Sequence, residues 1–142
     1  MHKAGFHHYQ WRDIDRQRPV WVDVWYPAKA EVEELPFHYG LGQGAVAPDA
    51  EVVANDGPFP IVVMSHGTFG SARDYGWLAE SLARHGFIVL GVSHYQESWL
   101  HSPDTVHQSA VIQLWRRPLD CTFALDQPLQ HEDFREQVNM AH

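Results

Sequence analysis

Two apolar runs rich in β-branched residues, FPIVVMS at 59–65 and FIVLGVSH at 87–94, flank a stretch with helical spacing. Continuous runs of this kind mark strands covered on both faces, as in a parallel sheet. Between them, Tyr75, Leu78, Ala79 and Leu82 fall at the i, i+3, i+4, i+7 positions of one apolar stripe. The spacing predicts a helix from 71 or 72 to 85, with Gly86 where a C-terminal cap belongs. Strand, loop, helix and strand make a βαβ unit, and a chain built on one is committed to an α/β architecture.

The flanking segments extend that frame. Residues 5–11 and 19–26 read as two strands joined by the polar turn DIDRQR, a hairpin whose second strand alternates Val20, Val22, Val24 and Tyr26 with Trp21, Asp23 and Trp25. One face of it is expected to be buried. From 28 to 58 the composition shifts to Gly, Pro, Ala and acidic residues without periodicity, which predicts a long surface connection with at most a short helix at 29–34. Beyond the polar loop YQESWLHSPDT, a helical pattern runs from about 105 to 131. Pro118 suits a first helical turn, so a short helix or turn is expected up to Arg116, followed by a helix turning Leu119, Phe123 and Leu125 inward until Pro128 ends or kinks it. The final EQVNMAH falls where another buried strand is expected to begin.

The size, 142 residues, is that of a single domain over 1–142. A net charge of −8 and only two lysines, Lys3 and Lys29, leave no basic stripe, which argues against nucleic acid as a partner and against an acidic membrane surface. No apolar segment is long enough for a signal peptide or a membrane span, so with Met1 as the start a cytoplasmic protein is expected. Cys121 is the single cysteine and reads as a small buried helix residue. Of the 11 histidines only His7 and His8 are adjacent, and neighbours on a strand point to opposite faces. With no H-E-x-x-H pattern, no metal is expected; the spacing of Gly67, Gly70 and Gly76 fits no nucleotide loop, and no cofactor is expected either.

The loop after the first apolar run, Ser65-His66-Gly67-Thr68-Phe69-Gly70, carries the chemistry. A hydrolase nucleophile elbow is G-x-S-x-G, because only small residues fit two positions either side of a serine on so sharp a turn. Ser65 has Gly67 downstream but Val63 upstream; Ser93 has Gly91 upstream but Tyr95 downstream. Neither is an elbow, and Ser65 reads as a strand-end hydroxyl bonded to local backbone. The alternative is an oxyanion loop: H-G-x-x-G between a buried strand and an amphipathic helix lets backbone N–H groups face the negative oxygen of an acyl-transfer intermediate. The donor would be the N–H of Thr68 or, failing that, of Phe69, with His66, Gly67 and Gly70 shaping the loop. His66 reads as structural, its ring bonded inside the loop, and His94 as a polar loop residue at a strand's carboxyl end. Arg116 and Arg117 read as scaffold salt-bridge residues, and Trp99 and Leu100 as apolar contacts at the entrance.

FPIVVMSHGTFGSARDYGWLAESLARHGFIVLGVSH resembles the α/β-hydrolase superfamily, and within it the predicted dienelactone hydrolase and platelet-activating-factor acetylhydrolase-like group. RPVWVDVWYPA and WRRPLDCTFALDQ resemble that group's strand and its helix before the elbow, so the resemblance covers nearly the whole chain. It implies the N-terminal half of an α/β-hydrolase fold, an N-terminal hairpin followed by βαβ in a mostly parallel sheet. It implies a parent that hydrolyses small carboxylic esters or lactones by a serine mechanism. The elbow, acid and base of that mechanism would lie in a further segment, so none of the three is expected within 1–142. The isolated chain is then expected to show no turnover, and to self-associate or accept a complementing C-terminal half through the edge left by the missing elbow strand. The alternative is an inactive module retained for binding or assembly, or without function of its own.

Overall fold

In the computed structural model the described residues are 1–54, 56–101, 114–128, 130–136 and 138–139. The amino-terminal hairpin is present as β1 (Lys3–Asp13) and β2 (Arg18–Ala28), antiparallel in unbroken register from Lys3↔Ala28 to Asp13↔Arg18. Val20, Val22 and Val24 enter one core, as alternation requires. The other face is covered as well, since Asp23 and Trp25 are buried. A strand with both faces covered is central to its sheet, and β2 sits between β1 and the strand Ile88–His94.

The 28–58 connection is not a plain loop. It folds as an antiparallel hairpin, β3 (Leu35–Tyr39) and β4 (Gly42–Pro48), and residues 29–34 contain turn but no helix. Few of its residues are β-branched, so local propensity did not announce strands; tertiary packing supplies them. Phe37 lies 4.7 Å from the Phe6 ring, and the Tyr39 hydroxyl accepts a 2.9 Å hydrogen bond from Trp25 Nε1.

The βαβ unit follows as β5 (Phe59–Ser65), a 3-10 turn (Ala72–Tyr75), α1 (Gly76–Arg84) and β6 (Ile88–His94), with β5 and β6 parallel from Ile61↔Ile88 to Ser65↔Val92. Gly86 ends the helix at φ +89°, a conformation that suits glycine. The inward stripe of α1 is rotated from the expected one. Gly76, Ala79, Glu80 and Ala83 are buried, while Tyr75 and Leu78 are exposed. Small residues bring the helix close to the sheet; a Cβ on Gly76 would stand 2.4 Å from the Tyr39 ring.

β6 is buried along its whole length, as its apolar run predicts, whereas β5 is only half-buried from Ile61 to Met64. β7 (Val138–Asn139) pairs in parallel with Phe59 and Pro60 alone, so among the described residues the rest of that edge of β5 is uncovered. α2 (Arg116–Asp126) starts two residues before Pro118 and stops short of Pro128; α3 (Glu132–Arg135) follows. Leu119 does not turn inward: it is exposed, and Asp120 and Ala124 occupy the buried face. Cys121 is half-buried on α2.

The sheet order is β3-β4-β1-β2-β6-β5-β7. It is mixed rather than mostly parallel, because the β1–β2, β2–β6 and β3–β4 pairs are antiparallel. α2 and α3 cover the face built from Val22, Ile88 and Leu90, while α1 and the second hairpin cover the face of Trp25 and Val89. This is an α/β layered fold. No helix among the described residues is long and apolar enough to cross a membrane.

Candidate functional site

Parallel pairing brings the carboxyl ends of β5 and β6 to one edge of the sheet, where open α/β folds gather their ligand-binding loops. The loop after β5 begins there. Gly70 N donates to Gly67 O at 3.2 Å, closing a four-residue turn with Thr68 second and Phe69 third. Phe69 stands at φ +58°, the left-handed conformation that a type II turn demands at its third position and that glycine or asparagine ordinarily fills. Its side chain is exposed. A Cβ added to Gly67 would meet nothing within 4 Å, so the space beside the turn is open. The turn's closing bond uses neither the Thr68 nor the Phe69 N–H.

His66 holds the turn from behind. Its Nε2 accepts the backbone N–H of His94 at 3.0 Å, which leaves Nδ1 to carry the proton and donate to Gly67 O at 2.6 Å. Burial pushes the imidazole down to about 4, against the pull of the Gly67 carbonyl; the nearby His94 and Arg117 push the same way as burial. A neutral ring in one tautomer thus ties the loop to β6. Arg117 donates to His66 O and, at 2.9 Å, to Glu97 Oε1, so it is a scaffold residue. Arg116 lies over the Trp115 ring. On the helix side, Ser71 Oγ accepts from Arg73 N and Asp74 Oδ2 accepts from Ser71 N at 2.9 Å, a reciprocal cap that fixes where the loop ends.

A second group of polar side chains comes together only in three dimensions. His94 is the last residue of β6 rather than a loop residue, and it is fully buried. Its Nε2 lies 2.8 Å from Ser65 Oγ, and its Nδ1 lies 2.9 Å from Asp120 Oδ2. Asp120 also accepts Arg18 Nε at 2.8 Å and Nη2 at 2.9 Å, and Arg16 Nη1 at 2.8 Å. Burial by itself would raise the Asp120 carboxyl, but hydrogen bonds from His94 and Arg18 and the Arg18 charge overcome it and hold the group at about 2. An ionised Asp120 takes a proton from His94 Nδ1 into its hydrogen bond, so in the neutral ring Nε2 is the acceptor for the Ser65 hydroxyl. Ser65 is exposed at the sheet edge, bonded to an imidazole and not to local backbone as its sequence context suggested. The available signal was weak: an aspartate at position 120 that interrupts the apolar face of a helix. Trp99, also expected near the entrance, is exposed.

Among the described residues no group of three His, Cys, Asp or Glu side chains could hold a metal ion. His7 pairs with Asp49, and His8 Nδ1 meets buried Asp23 at 2.7 Å.

Residues 25–113 match the family model described as platelet-activating factor acetylhydrolase, isoform II. Among solved structures the chain is similar to a ferulic acid esterase from Streptomyces cinnamoneus, with 20% identity and a TM-score of 0.64 over 96% of this chain and 48% of that one. At that identity the likeness is one of fold, and the chain spans about half the length of the esterase. No curated protein matches.

Proposed function

The chain belongs to the platelet-activating factor acetylhydrolase, isoform II family, within the α/β-hydrolase superfamily, and on that footing we propose that it forms the oxyanion-loop half of a hydrolase acting on carboxylic esters or lactones. In this reading the nucleophile elbow, acid and base belong to a further segment of the parent enzyme, and the mechanism is serine acyl transfer without metal or cofactor. The observation that carries it is the Gly67–Gly70 turn at the carboxyl end of β5, held by His66 and leaving the Thr68 amide outside its own hydrogen bond. A tetrahedral intermediate places negative charge on the former carbonyl oxygen, and a fixed amide dipole there needs no reorganisation as that charge develops.

The test is Thr68→Pro in the protein as its native source produces it, assayed with small esters and lactones. Proline is favoured at the second position of a turn, so the substitution deletes the N–H while suiting the loop. Loss of one oxyanion donor typically lowers kcat by about 10²–10³. An unchanged kcat refutes the role of Thr68 and moves the donor to Phe69. An intact mass equal to the 16.3 kDa of this chain, with no ester turnover, would favour the inactive binding or assembly module instead.

A further inference from the structure

We propose that Ser65, His94 and Asp120 form a covalent acceptor site of their own, in which Ser65 takes up acyl or phosphonyl groups from electrophiles whose leaving group departs as a stable anion. This goes beyond the oxyanion-loop reading, which places the nucleophile in another segment.

Three observations carry it. First, the hydrogen-bonded chain is complete: Ser65 Oγ to His94 Nε2 at 2.8 Å and His94 Nδ1 to Asp120 Oδ2 at 2.9 Å, both within the reach that nucleophile–base and base–orienter pairs require. Second, the partners orient the ring. Asp120 faces two guanidinium groups and stays ionised, which holds a proton on His94 Nδ1 and leaves Nε2 as the neutral ring's acceptor toward the serine hydroxyl. Third, access is one-sided: Ser65 is exposed, whereas His94 and Asp120 are 0% and 1% exposed. An electrophile approaching this end of β5 meets the serine, with the imidazole and the carboxylate behind it.

The same geometry selects the substrate class. In the step, a bond forms from Ser65 Oγ to phosphorus or carbonyl carbon and the serine proton passes to His94 Nε2. With a fluorophosphonate the P–F bond breaks and fluoride leaves to solvent; with a nitrophenyl ester the nitrophenolate leaves. Neither anion needs a proton. An amine or a simple alkoxide does, and the one proton at hand is on Nε2, which the structure directs at Ser65 Oγ at 2.8 Å and not at a leaving group beyond it. Water meets the same obstacle, so the adduct is long-lived and the reaction is stoichiometric uptake rather than turnover. Arg16 and Arg18 already share the Asp120 carboxylate, which leaves less of its charge to stabilise an imidazolium. The acceleration therefore belongs at the low end of general-base catalysis, about 10².

The experiment treats the folded chain with a fluorophosphonate and locates the adduct by peptide mass mapping. Ser81, exposed on α1 and remote from this relay in the sequence, is the internal reference. The expected result is Ser65 labelled about 10²-fold faster than Ser81, no adduct there in Ser65→Ala, and a fall to the Ser81 rate in His94→Gln. Labelling of Ser65 at the Ser81 rate in the wild-type chain overturns the proposal, and this comparison holds even if His94→Gln fails to fold. So does undiminished labelling in a folded His94→Gln. Mapping by site separates an adduct at Ser65 from one on an elbow serine elsewhere in a longer parent, so failure here leaves the oxyanion-loop reading to its own test.

Discussion

Replacing Asp120 with Asn removes one charge from a buried site and nothing from its shape. Asp120 is 1% exposed and accepts four hydrogen bonds: from His94 Nδ1, twice from Arg18, and from Arg16. An asparagine has one acceptor oxygen, and its NH₂ group would face donors, so at least two of those bonds are lost and Arg18, itself 6% exposed, is left without its counter-ion. Breaking a buried pair from one side costs about 3–5 kcal/mol, far above the 0–1 kcal/mol or so of a surface pair. Urea unfolding reads this directly. With a slope of about 2 kcal/mol per M, the midpoint drops by roughly 2 M. The pH dependence supplies an internal check. The folded-state pKa of Asp120 lies below its ordinary 3.8, at about 2, so its stabilising contribution is present in full above 3.8 and is lost as pH falls through 2. The gap between wild type and variant is therefore widest at neutral pH and closes toward pH 2. A neutral-pH difference under about 1 kcal/mol would refute the reasoning that Asp120 and Arg18 behave as a buried pair.

Other consequences follow from the same contacts. His66 is neutral when folded, with its pKa moved from 6.5 down to about 4, so its contribution is present above pH 6.5 and is lost as pH falls toward 4. The size is roughly 3 kcal/mol; urea melts across that range should show the decline in the wild type and not in His66→Gln, and equal slopes would refute it. A Cβ on Gly70 would stand 2.5 Å from Asp74 Oδ2, the atom that caps Ser71 N. Gly70→Ala should therefore cost about 1 kcal/mol of the kind that lost helix caps cost, and a thermal midpoint equal to wild type would contradict the cap's role. Among the described residues β7 covers only the first two positions of β5. Light scattering of the 142-residue chain is expected to show association that grows with concentration, and a monodisperse monomer at high concentration would count against an open edge.

Where a structural feature is carried by neighbours in sequence, local pattern was enough. The run 59–70 read as strand and turn, and the structure puts them there, with the His66 ring bonded to Gly67 O. Gly86 read as a cap and has the backbone conformation of one. The second hairpin was not legible, because Gly42, Gly44, Ala45 and Ala47 lack strand propensity, and β3 and β4 form where Phe37 and Tyr39 find Phe6 and Trp25. Tyr75 and Leu78 sat on the sequence's apolar stripe yet face outward, since the sheet accepts α1 only through Gly76, Ala79 and Ala83.

The sequence by itself determined the βαβ unit, the first hairpin and the glycine turn, because period and turn chemistry are properties of consecutive residues. Only the tertiary structure decided that Ser65, His94, Asp120 and Arg18 meet. They come from the ends of two parallel strands, the buried face of a helix and the start of a third strand, and no spacing along the chain encodes that distance. Parallel register aligns the first two, and α2 packing supplies the carboxylate. The low dielectric of the resulting core then makes four such groups stable only as a bonded set.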